Sequence, residues 1–139
     1  MHMPKYTYPC FFTRDEEYGG WTAEFPDWQG KVVGCTCGKS WQQVLYMAND
    51  LLNLMCMDCE DDNEPFPSVV KHDVPEGTVI RLVSADTDKY RKECELYKNV
   101  GRWRMAEKAR RRYWYPKGTQ SPEDENVTET YQSMIVKCL

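Results

Sequence analysis

Four carboxylates in this chain of 139 residues are the candidates for convergence in a catalytic site: Glu24, Asp27, Asp50 and Asp86. A metal-dependent nuclease gathers such groups around two Mg²⁺ ions about 4 Å apart. Asp27 has a simpler role as the polar end of a Phe-Pro-Asp turn, and Asp50, beside Asn49, falls among the outward positions of a predicted helix. Nuclease chemistry therefore ranks last among the readings. Cys35-x-Cys37 and Cys56-x-x-Cys59 have the spacing of zinc-ligand pairs. A helix opening at Ser40 would hold the two pairs about 24 Å apart at ~1.5 Å per residue, whereas one ion needs every sulfur at ~2.3 Å. Unless the helix breaks or two chains share a site, these are free thiols. His2 and His72 are isolated in sequence, and no Gly-rich phosphate loop or serine-nucleophile motif occurs. No metal and no cofactor is expected.

Charge supplies the second kind of chemistry. The net charge is −4, yet residues 1–88 carry 6 Lys+Arg against 15 Asp+Glu, and residues 89–117 carry 11 against 3. Such segregation suits a charged partner, or one half folding onto the other. Glu16, Glu17, Glu24 and Asp27 cluster around a predicted hairpin, and a second acidic run spans Asp58–Glu64. Together they offer a basic protein steering and charge matching, although the ordinary fate of any one acid is solvated surface. Trp28, directly after the Phe-Pro-Asp turn, is less easily buried than Trp21 or Trp41 and is the candidate anchor for a protein contact. Lys98, Arg102, Arg104, Lys108, Arg110, Arg111 and Arg112 are interleaved with Tyr97, Trp103, Tyr113, Trp114 and Tyr115. Cations for phosphates and rings for bases make nucleic acid the second candidate partner. The same residues suit packing or chain-to-chain contact, so a homodimer or higher oligomer is expected.

The elements that must position these groups are legible from periodicity. Tyr6, Tyr8, Cys10 and Phe12 share one parity, as do Trp21, Ala23 and Phe25, across a charged turn ending in Gly19-Gly20. This is a β-hairpin, and Pro26 ends its second strand. Lys31–Gly34 reads as a short third strand and Cys35–Lys39 as a loop. Ser40 with Gln43 makes a capping box, and Trp41, Val44, Leu45, Ala48, Leu51, Leu52 and Met55 form one helical stripe. The acidic run is expected to end that helix, and Pro65 and Pro67 forbid its continuation. Thr78–Ser84 is a β-branched fourth strand. The fold class is α+β: a small antiparallel-rich sheet in β-β-β-α-β order with one covering helix. Two carboxy-terminal helices follow, a basic one over about 89–114 and a second over about 122–138, giving a domain over 1–88 and a helical extension over 89–139. No apolar run reaches the ~20 residues of a membrane span. The absence of an apolar signal core and the odd count of seven scattered cysteines point to a reducing cytoplasm.

The order Tyr8-Pro9, Phe11, Thr13, an acidic Gly-Gly turn, then Glu24-Phe25-Pro26-Asp27 resembles the HicB family of bacterial antitoxins. Gly30, Thr36-Cys37-Gly38, the Leu45/Ala48 stripe, Glu64-Pro65-x-Pro67-Ser68 and Val83–Arg91 extend the resemblance over about residues 5–92. It implies a partial RNase H-like domain that silences a small basic mRNA-cleaving toxin of the HicA type by steric and electrostatic masking, without catalysis. Many members carry a ribbon-helix-helix or helix-turn-helix DNA reader, and residues 93–139 match neither. The alternative function is an orphan nucleic-acid-binding regulator using the basic 91–117 segment.

Overall fold

The computed structural model describes residues 5–17, 19–29, 35–99 and 131–138. Four strands form one antiparallel sheet in the order β3-β2-β1-β4: β1 (Tyr6–Asp15), β2 (Gly20–Glu24), β3 (Cys35–Gly38) and β4 (Thr78–Ala85). Helix α1 (Trp41–Asp62) covers one face, α2 (Thr87–Asn99) packs on α1, and α3 (Tyr131–Cys138) packs against β1 and β4. This is the α+β architecture expected, with the covering helix in its expected place. Among the described residues no helix is long and apolar enough to cross a membrane.

The period-2 alternation of β1 decides which residues meet α1. Tyr8, Cys10 and Phe12 join Ala23, Phe25, Val83 and Ala85 against Trp41, Val44, Ala48, Leu52, Met55, Cys56 and Cys59. Phe12 meets Trp41 edge-on at 4.9 Å, and Trp21 lies 5.1 Å from the same indole. Trp21 and Trp41 thus pack sheet against helix, as their stripes predict. Phe11, of the opposite parity, faces away from α1 and meets Tyr131 of α3 at 5.6 Å.

Local chemistry sets the ends of α1. Ser40 Oγ accepts from the Gln43 amide at 3.1 Å, the forward half of the expected capping box, while the Gln43 side chain reaches one residue past the cap and accepts from the Lys39 amide. The helix runs through Asp58–Asp62 and ends inside the acidic run, as expected. Its cap is Asn63, whose N–H bonds the carbonyls of Cys59 and Glu60 and whose left-handed φ of 55° turns the following chain out of the helix. Asparagine tolerates this conformation where most residues resist it. Acids alone do not break a helix when its apolar stripe still has core to cover, and here Cys59 is buried one turn before the end.

The third strand differs from expectation. Lys31–Gly34 lies outside the described residues, and the strand that pairs with β2 is Cys35–Gly38, which the sequence suggested as a loop. Cys35-Thr36-Cys37-Gly38 has little strand propensity, and its pairing is decided by contact with α1. A Cβ on Gly38 would stand 2.6 Å from the Val44 nitrogen and 2.8 Å from its Cα. Only glycine allows that approach. Of the two carboxy-terminal helices, 100–114 and 122–130 lie outside the described residues.

Gly38→Ala is therefore expected to lower stability by about 1–3 kcal/mol through forced separation of β3 from α1. Urea unfolding followed by far-UV circular dichroism measures it, and an unchanged midpoint would contradict the close approach.

Candidate protein-binding site

The hairpin turn presents its acids outward. Glu16 and Glu17 are exposed. The turn is closed by the Gly19 amide on the Asp15 carbonyl at 2.9 Å, and the Glu17 amide donates to Asp15 Oδ1 at 3.0 Å. Asp15 therefore shapes the turn, and its two neighbours are left for solvent or a partner. Glu24 ends β2, directly opposite Phe11 on one side and Cys35 on the other, and accepts a hydrogen bond from the Gln29 side chain.

Asp27 and Trp28 face inward instead. The turn Pro26–Trp28 is one turn of 3-10 helix, and the Asp27 side chain is completely buried. Its Oδ1 accepts from the Val70 amide at 3.0 Å and from His72 Nε2 at 2.9 Å, while Oδ2 is buried without a partner. A buried carboxylate needs such donors, and they come from the 64–77 connection, far away in sequence. Tyr131 adds to the same knot: its hydroxyl accepts from the His72 amide at 3.3 Å and donates to the Val70 carbonyl at 3.4 Å. His72, isolated in sequence, is thus a structural partner of Asp27. Their separation of 45 positions leaves no local signal of this in the sequence.

Trp28 is only 1% exposed, which corrects the expectation that it resists burial. It meets Tyr8 edge-on at 5.2 Å and Phe66 at 6.3 Å, and Phe66 stacks on Tyr6 at 4.4 Å. Tyr8 Oη donates to the Pro67 carbonyl at 2.8 Å. The Pro65/Pro67 segment brings Phe66 over the turn, so the indole that looked displaced by Pro26 is roofed by residues from across the chain.

The second acidic run divides in the same way. Glu60 accepts from Tyr6 Oη at 2.7 Å, Thr87 Oγ1 at 2.9 Å and Arg91 at 3.1 Å, with Lys5 Nζ at 3.7 Å. Burial works against its charged form, but the three hydrogen bonds and the Lys5 charge outweigh it and hold Glu60 below the usual carboxylate range. Arg91 also bonds Asp61 at 2.8 Å, tying α2 to α1. Asp58 and Asp62 remain exposed. Neighbouring thiols are structural: burial, aided by Cys59 and Glu60, pushes Cys56 up to about 12.

The carboxylates of the nuclease reading are each engaged separately. Asp50 accepts from Tyr90 Oη at 2.6 Å, Asp86 caps α2 by accepting from the Lys89 amide at 3.2 Å, and Glu24 and Asp27 are held as described. Among the described residues no group of three or more His, Cys, Asp or Glu is arranged to hold a metal ion. Cys35 and Cys37 are exposed on β3, whereas Cys56 and Cys59 are buried in α1. Of the basic set, Lys98 belongs to α2, and Arg102, Arg104, Lys108, Arg110, Arg111 and Arg112 lie outside the described residues.

Two variants test this arrangement. Asp27→Ala is expected to cost about 2–4 kcal/mol, since it leaves the Val70 amide and His72 without their acceptor, and to open 64–77 to limited proteolysis. Glu60, with its pKa lowered on folding, contributes stability that is present above the carboxylate's unfolded value and lost as pH falls through the folded one. Glu60→Gln is expected to cost about 1–2 kcal/mol at pH 7, and the difference in urea midpoints between wild type and variant is expected to shrink as pH falls through the folded carboxylate's pKa.

The fold has counterparts among solved structures. A chain of a toxin–antitoxin complex from Streptococcus pneumoniae matches at a TM-score of 0.51 with 19% identity, over 60% of this chain and 71% of that one. A chain of a HicA3 and HicB3 toxin–antitoxin complex matches at 0.44 with 24% identity, over 58% of this chain and 98% of that one. No family model matches the sequence. No curated protein matches it either. At these identities the likeness is one of fold.

Proposed function

We propose that this chain is the antitoxin of a toxin–antitoxin pair, a HicB-like protein that binds a small basic HicA-type ribonuclease and masks it without catalysis of its own. The observation that carries the reading is the hairpin. Of the family-like residues, Phe11 and Thr13 of β1 pair across the hairpin with Glu24 and Thr22, Tyr8 and Pro9 pair with β4, and Phe25–Asp27 follow β2, in a fold shared with a chain of a toxin–antitoxin complex. Within it, Glu16 and Glu17 are the outward charges that face the toxin, joined by Glu24 at the end of β2. Asp27 and Trp28 serve the interface indirectly, by fixing the turn beneath it. A protein that binds RNA carries a basic surface, and an outward acidic rim speeds and orients its docking.

Co-expression with neighbouring genes is expected to relieve growth arrest caused by a short basic protein and to co-purify it; a chain that purifies alone from every pairing overturns the proposal. Reversing the rim charges, Glu16→Lys with Glu17→Lys, is expected to slow association roughly tenfold at low salt and much less at high salt. Stopped-flow binding across a salt series reads this directly.

A second reading is favoured by the +8 charge of residues 89–117 and their interleaved aromatics: the extension binds nucleic acid. Duplex DNA affinity that falls steeply with salt supports it, and affinity flat in salt removes it.

A further inference from the structure

Strand β3 is an edge of the sheet, and among the described residues no strand pairs with it beyond β2. Cys35 and Cys37 are both exposed on it, while Thr36 and Gly38 are half-buried. Gly38 lies against Val44 of α1, so the two thiols stand on the opposite face of the sheet, in register with Glu24 and Thr22. No other cysteine is so placed: Cys10, Cys56 and Cys59 are buried, and Cys94 and Cys138 are half-buried.

The backbone of these two residues also faces outward. In an antiparallel sheet, successive residues bond alternately to one neighbouring strand and the other. Pro9 has no N–H for β4, and the Ile80 and Ser84 carbonyls turn away from β1, to Arg81 and Asn49. The odd residues of β1 therefore bond β2, as the carbonyls of Thr13 and Asp15 show by accepting from Thr22 Oγ1 and the Gly19 amide. Carried through the register, Trp21 and Ala23 bond Gly38 and Thr36. The N–H and C=O groups of Cys35 and Cys37 are left directed to the open edge. Such an edge is a template for another strand unless charge or proline blunts it, and Cys35–Gly38 carries neither.

The Cys-Thr-Cys order reads the same in both directions, so it is complementary to itself. A two-fold axis through Thr36 sets Cys35 of each copy opposite Cys37 of the other, in hydrogen-bonded pairs with Cα atoms about 5.5 Å apart. A disulfide spans roughly 4.4–6.8 Å between Cα atoms. Within one strand the two Cα atoms are about 6.6 Å apart with parallel side chains, so closing the ring inside one chain requires β3 to bend. Edge pairing over so few residues buries far less than the roughly 1,200 Å² of a stable interface. A covalent link is what would hold the two copies together.

We propose that β3 is a redox-controlled contact between two copies of this chain, joined by disulfides from Cys35 of each to Cys37 of the other. The oxidant is a low-molecular-weight disulfide such as glutathione disulfide. One protein thiol loses its proton and attacks it, releasing one glutathione thiolate. The facing cysteine of the second copy then attacks the mixed disulfide and releases the other. Each link oxidises two protein thiols and reduces one glutathione disulfide to two thiols, which take up the protons. The contact does not rest on the antitoxin reading.

The test treats the reduced full chain with glutathione disulfide and follows covalent dimer on non-reducing gels, with peptide mass spectrometry of a mixture of ¹⁴N and ¹⁵N chains. A mixed-isotope disulfide between two peptides containing Cys35 and Cys37 is expected. Cys35→Ser alone and Cys37→Ser alone are each expected to give at least about tenfold less dimer, with melting temperatures unchanged. An equimolar mixture of the two variants is expected to restore it, since only that pairing sets a Cys35 against a Cys37. Absence of covalent dimer at saturating glutathione disulfide would overturn the proposal, as would a ring within one chain. Dimer from either single variant at the wild-type yield, or an unrestored mixture, would do so too.

Discussion

The described body depends on β1 being paired along both edges and covered on both faces. Its residues are in register with β2 from Phe11↔Glu24 to Asp15↔Gly20 and with β4 from Tyr6↔Ala85 to Thr13↔Thr78. Tyr8, Cys10 and Phe12 build the core under α1, while Phe11 carries α3 on the other face. A slip of one residue would exchange these sets, moving Phe12 off Trp41 and Phe11 off Tyr131. That is why the hairpin tolerates so polar a turn: register is fixed by packing on either side of the strand, and the turn is free to carry charge.

The acidic half illustrates how position divides one residue type into two roles. Asp27 and Glu60 are internal fasteners, each receiving donors from segments remote in sequence, Val70 and His72 in one case and Tyr6, Thr87 and Arg91 in the other. Glu16, Glu17, Asp58 and Asp62 face solvent. The negative charge of residues 1–88 thus overstates the field a partner meets, because part of it is neutralised inside the fold. The 64–77 connection, which has no regular structure, is held by Asp27 on Val70 and His72 and by Tyr8 on Pro67. An acid in the turn after β2 and a hydroxyl on the core face of the sheet supply hydrogen bonds that a sheet or helix would otherwise have supplied.

The local elements were legible because each rests on short-range chemistry. The hairpin follows from alternation and glycine, the start of α1 from Ser40 and Gln43, and β4 from its β-branched run. Cys35–Gly38 reads as a loop because it has no strand signature of its own; it is a strand because Gly38 lets it lie against Val44. The end of α1 falls inside the acidic run, as expected, and reaches Asp62 because Cys59 beneath the acids still belongs to the core.

The candidate site divides along the same line. Sequence by itself determined the fold class, the hairpin and the acidic rim of Glu16 and Glu17, because period and turn chemistry are properties of neighbouring residues. Tertiary structure alone decided that Trp28 is core, that Asp27 is clasped by His72, and that Asn49 ties α1 to the Ser84 carbonyl at the end of β4. Burial and hydrogen-bond partnership depend on what arrives from elsewhere in the chain, and loop closure over tens of residues leaves no periodic trace in the sequence.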